Sequence, residues 1–117
     1  MMTGINLDEA LASVSEYWQP RTVAVFNDHD LMVTKFKGEF VWHHHTETDD
    51  CFLVLKGRVT IQMRAGNVTL GPGELFIVPR SVQHCPTADE EAHVLLIEHR
   101  GTPRVRAGRG HEARGQS

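Results

Sequence analysis

Several things are scarce in this sequence, and each shortage excludes a class. Only two cysteines occur in 117 residues. That is too few for a disulfide framework, so reduced thiols and a cytoplasmic setting are expected. No run approaches the roughly 20 apolar residues that span a bilayer. The opening MMTGINLDEA has no basic segment leading into an apolar one, so a secretory leader is not expected. Net charge is small, −3, and uneven. From Arg104 onward there are four arginines and one glutamate, +3, which leaves the preceding residues at −6. A body of that sign is a poor match for a nucleic-acid backbone. The stretch RVRAGRGHEARGQS has almost no large apolar side chains and reads as part of a flexible basic tail over 101–117.

Histidine, by contrast, is abundant: eight in 117 residues. Three of them are consecutive in the stretch 38–57, GEFVWHHHTETDDCFLVLKG. In an extended strand, residues two apart share a face. His43 and His45 then face one way with Glu39 and Val41, and Trp42 and His44 face the other. Residues 46–49 form a turn, and 51–55 the returning strand, with Asp50, Phe52 and Val54 on one face. That register brings two imidazoles and a carboxylate to one interior point, the donor set of a transition-metal site. Two buried, unpaired imidazoles would cost roughly 1–3 kcal/mol each, and a metal removes that cost. Glu47 shares the parity of His45 and is the alternative carboxylate. The same alternation puts Phe40 and Trp42 on the outer face, where a helix or a second subunit must cover them.

The remaining elements follow from periodicity. Residues 6–18 read as a helix: Asn6 caps it, Glu9 completes a capping-box pattern, and Leu7, Leu11, Val14 and Trp18 form its apolar stripe. Pro20 ends it. From 21 the period becomes two. Strands are expected at 22–26, 31–36, in the two segments flanking the 46–49 turn, and at 59–63, 68–70, 74–78, 81–84 and 92–98. A four-residue turn is expected at 27–30, another at Gly38, and a polar loop up to Glu91. This gives nine or ten short antiparallel strands, an all-β sandwich or barrel in one domain over 21–100, preceded by a helical segment over 1–20.

The residues also match a family. Gly38, His43, His45, Asp50 and Gly57, followed by Gly73, Pro79 and His84, resemble the paired motifs of the small single-domain cupins. The resemblance covers about residues 22–99. It implies a double-stranded β-helix, or jelly-roll barrel, with one divalent metal ion inside its mouth. It implies His43, His45 and His84 as ligands, and Asp50 at a fourth position that is normally glutamate. Asp50 is one methylene shorter, so its oxygens should fall short by roughly 1.5 Å. Ser81 stands where the family usually has glycine, and Ala88 where asparagine is common. Cys51 and Cys85 each follow an implied ligand and read as structural thiols facing away. The resemblance also implies a homodimer.

Fold says little about reaction class. The leading expectation is a metal-dependent enzyme acting on a small polar or oxygenated organic molecule by isomerase or lyase chemistry. Glu39, His93 or His99 would supply the base. A dioxygenase with a redox metal is the alternative, and a non-catalytic metal-dependent binding or sensing module is a third reading. Imidazole donors suit Fe, Mn, Ni, Co, Cu and Zn, and spacing does not choose among them. No cluster of Lys and Arg or glycine loop favours a phosphorylated substrate.

Overall fold

The computed structural model describes residues 2–105; of the expected tail over 101–117, the part from 106 onward lies outside the described residues. Helix α1 runs over Leu7–Ala12. Asn6 caps it as expected, its Oδ1 accepting from the Glu9 N–H at 3.0 Å. The helix ends well short of Trp18, the expected end. Ser13 takes the C-cap, and its hydroxyl donates to the Ala10 carbonyl, which competes with continuation of the ladder. Leu11 and Val14 are buried against the sheet, but Trp18 is not part of that stripe. It adopts a left-handed φ of 63° and stacks on Phe36 at 4.2 Å and Phe40 at 4.8 Å.

Seven strands follow: β1 (Arg21–Phe26), β2 (His29–Glu39), β3 (Asp50–Lys56), β4 (Val59–Met63), β5 (Val68–Leu70), β6 (Leu75–Val78) and β7 (His84–His99). All the pairings are antiparallel. One sheet has the order β1-β2-β7-β3-β6. The second is built on the same two long strands: the end of β2 and the start of β7 pair, and β4 and then β5 join on the other side of β7. β7 therefore belongs to both sheets, and the two wrap round one core in a jelly-roll barrel. Met32, Phe52, Val54, Ile61, Val78 and Val94 lie at its centre.

The strand count corrects the expectation of nine or ten. The segments expected at 81–84 and 92–98, with the polar loop between them, form the single 16-residue strand β7. Pro86 and the acidic residues 89–91 sit inside it. β2 likewise runs past Gly38, which is a positive-φ bulge within the strand, not a turn. The turn expected at 27–30 tightens to Asn27 and Asp28, because Phe26 already pairs with His29. Residues 40–49, read as a histidine strand and a turn, make only one bridge, between His43 and His84.

Candidate metal centre

That single bridge fixes two of the four expected ligands. The His43 N–H donates to the His84 carbonyl at 3.0 Å, and the His84 N–H returns to the His43 carbonyl at 2.9 Å. The next anchor is the Ser81 N–H, which donates to the His45 carbonyl at 2.7 Å. Ser81 has a φ of 71°, so the family's usual glycine there has a physical reason: the backbone is left-handed. Asp50 opens β3, with Phe52 and Val54 alternating inward after it. The parity argument therefore holds for Asp50, and it holds for His43 and His45, both buried. It holds although their segment is not a ladder strand.

The side chains converge. Donor atoms of His43, His45 and Asp50 lie within 4.8 Å of one another. Asp50 Oδ2 is 3.4 Å from both His45 Nε2 and His84 Nε2. The shorter carboxylate thus reaches the cluster after all, while Glu47 is exposed in the 46–49 turn. Nδ1 of His43 sits 2.9 Å from the Val41 carbonyl, and Nδ1 of His84 2.9 Å from the Val82 carbonyl. A carbonyl only accepts, so both Nδ1 atoms carry the proton and both Nε2 atoms present a lone pair. Among the described residues, His84 Nε2 is buried without a hydrogen-bond partner, a cost that a bound cation removes. Burial, and then the neighbouring His84, pushes the His43 pKa down to about 4, so the ring is neutral and free to ligate. At Asp50, burial raises the carboxyl, but the neighbouring His45, His84 and Glu98 side chains outweigh it and hold it below its ordinary range. Three imidazoles and one carboxylate fit a divalent transition ion.

His43, His45 and Asp50 of the cluster line a pocket walled also by Trp18, Phe36, Phe40 and Phe52. Phe40 was expected on the outer face. It lines the pocket instead, edge-on to His43 at 5.4 Å. Strand alternation ends at Glu39, so parity no longer governs it. Trp42 is half-buried beneath the Arg64 guanidinium, 3.8 Å from the ring centroid.

The three side chains expected to supply a base are not brought to this pocket. Glu39 is exposed and accepts from Gln62 Nε2 at 2.9 Å. His93 Nε2 lies 2.8 Å from Glu91 Oε2, and Glu91 also accepts from the Tyr17 hydroxyl. His99 is exposed, edge-on to His29 at the far end of the hairpin. Among the pocket residues that sequence reasoning missed are Glu98 and Thr34. Glu98 shares parity with Val94 and Leu96, which face the core, whereas His93 and His99 fall on the other face. Burial, and then Asp50 beside it, pushes the Glu98 carboxyl up to about 9, so it is protonated near neutrality. Thr34 is fully buried, its hydroxyl without a partner among the described residues. Both thiols point away from the cluster; Cys51 is raised by burial, and Cys85 to about 11. They are not nucleophiles.

The sequence pattern of the cupin domain matches residues 31–98. The uncharacterized protein YdbB of Bacillus subtilis is 28% identical over 96 residues, 81% of this chain and 85% of YdbB. The 3-hydroxyanthranilate 3,4-dioxygenase of Ruegeria pomeroyi is 29% identical over 79 residues, 62% of this chain but only 44% of that enzyme. The solved structure of a cupin-2 domain containing protein from Shewanella frigidimarina superposes with a TM-score of 0.80 at 40% identity, covering 82% of this chain and 94% of that one.

Proposed function

Because the chain belongs to the cupin domain family, we propose that it is a metal-dependent enzyme that transforms a small oxygenated organic molecule in its aromatic pocket. The observation that carries this reading is the convergence of His43, His45, His84 and Asp50 on one point, with His84 Nε2 left without a hydrogen-bond partner among the described residues. These four residues would hold one divalent transition ion. Such an ion supplies a Lewis acid and, when it is redox-active, a route for electrons to dioxygen. The protein's own contribution is to fix the imidazoles by backbone carbonyls, to wall the site with aromatic rings and to exclude bulk water.

For the reaction class we favour dioxygenation. The wall is apolar and aromatic, none of the three expected bases reaches the pocket, and one sequence relative is a dioxygenase. A second reading, isomerase or lyase chemistry, is favoured by one residue. Glu98 holds a proton inside the pocket and would exchange it with a substrate carbon or oxygen. We read the protein as a cytoplasmic homodimer with a small-molecule substrate.

Metal analysis of untagged protein, followed by dioxygen-uptake assays with small oxygenated aromatics, tests the proposal. The wild type should hold about one ion per chain, and His43→Ala should lose most of it while remaining folded. Iron or copper with substrate-dependent uptake supports dioxygenation. Zinc or manganese with turnover but no uptake supports the second reading. Stoichiometric metal retained by the folded variant would remove the site altogether.

A further inference from the structure

The pocket's charges do not balance. Its lining contains one cation among the described residues, Arg104. An arginine is charged at any working pH and offers five donors. Arg104 spends one of them, weakly: its Nη1 lies 3.5 Å from the Pro20 carbonyl. That contact ties the chain beyond β7 to the residue just before β1, and Arg104, though exposed, is part of the pocket lining. Three other arginines have charged or aromatic partners, whereas the exposed Arg58 lies on a different pocket. Arg100 pairs with Asp30 and Arg80 with Asp49, while Arg64 lies on Trp42. No ion pair is made by Arg104 among the described residues, although its charge reaches Glu98 across the pocket. The same lining includes the rings of Trp18 and Phe40, stacked at 4.8 Å. An apolar, ring-lined pocket whose lining also holds an arginine with no ion pair among the described residues matches a flat organic body carrying an anion.

We propose that Arg104 determines specificity by binding a carboxylate on the substrate, so that this pocket takes small aromatic or unsaturated carboxylic acids. The inference rests on reading the pocket as a substrate site and adds the substrate's charge. A bidentate guanidinium–carboxylate pair in a partly open pocket is worth about tenfold in affinity.

The test uses the full chain stripped of metal by a chelator, so that it does not depend on the metal reading. Benzoate and its neutral isostere benzamide are titrated calorimetrically into wild type, Arg104→Gln and Arg104→Lys, each verified as folded by its melting curve. Wild type should bind benzoate about tenfold tighter than benzamide. Arg104→Gln should erase that preference while leaving benzamide within about twofold, and Arg104→Lys should keep part of it. The preference should shrink as salt rises. Equal binding of the two probes by wild type, an unchanged preference in Arg104→Gln, or no saturable binding of benzoate would each overturn the proposal. Anion preference surviving in a protein that never binds metal would sink the enzyme reading and leave this one standing.

Discussion

Among single residues, Glu98 has the clearest measurable consequence. In the metal-free protein its folded pKa is about 9 against an ordinary 4.5. The folded state then keeps a proton that the unfolded chain has released, so stability falls as pH rises from about 4.5 through 9. His43 runs the other way. Its folded pKa of about 4 lies below the ordinary 6.5, so stability falls as pH drops from about 6.5 through 4. Asp50, held low, contributes stability that is lost on the same acid side. Between about pH 4.5 and 6.5 the Glu98 and His43 slopes oppose each other, and the profile should be flat there. Glu98→Gln should melt above wild type at about pH 8 and level with it at about pH 5. An identical difference at both pH values would mean that Glu98 ionisation is not what the alkaline limb reports. Glu98 could not be read from the sequence because 94–97 are apolar at every position. With both faces greasy, alternation cannot say which one looks inward. At 50–54 a charged or polar residue interrupts the pattern, and the inward face of Asp50 was legible.

At the level of elements, two turns hold the site-bearing strands, and their backbones make different demands. Gly57 joins β3 to β4 with a φ of 85°, and an added Cβ would meet the Glu91 carbonyl at 3.0 Å and Ala92 at 3.1 Å. Gly73 has a φ of 83° but open space around it. Gly57→Ala should therefore cost roughly 2–4 kcal/mol, conformation plus clash, and Gly73→Ala only roughly 1–2. Ser81→Gly should gain about 0.5–1 kcal/mol by relieving the left-handed serine. Chemical denaturation of the three variants checks the ranking; Gly57→Ala no worse than Gly73→Ala would refute the close-packing argument. The strands with clean alternation, β3, β4 and β5, were placed within a residue or so from the sequence. The misreadings cluster where pairing is interrupted. Residues 40–45 have strand-like composition but a single bridge, and Pro86 looks like a strand end because a proline lacks its donor. In β7 it is tolerated: its carbonyl accepts from the Phe40 N–H, and the strand runs on.

On the scale of the whole molecule, the outer face of the larger sheet is half covered. Two apolar rows cross it, Val33–Leu95–Leu53–Leu75 and Leu31–Ile97–Cys51–Ile77. Helix α1 covers the first of these at its β2 and β7 end. The β6 end is open, with Leu75 57% and Ile77 49% exposed. The expected homodimer loses one of its grounds, the outward Phe40, and gains this surface. Light scattering should give twice the chain mass for wild type and the chain mass for Ile77→Glu; a monomeric wild type would dismiss the dimer. Barrel architecture was visible in the two motifs and their spacing, whereas this surface was not, since nothing in the sequence says how far a short helix reaches. The 16-residue strand β7 adds one more consequence. It carries His84 at one end and Glu98 at the other while stitching both sheets together. Peeling it away would dismantle the ligand cradle and the hydrophobic interior in the same event, so its central amides should be the last in the protein to trade hydrogen for deuterium.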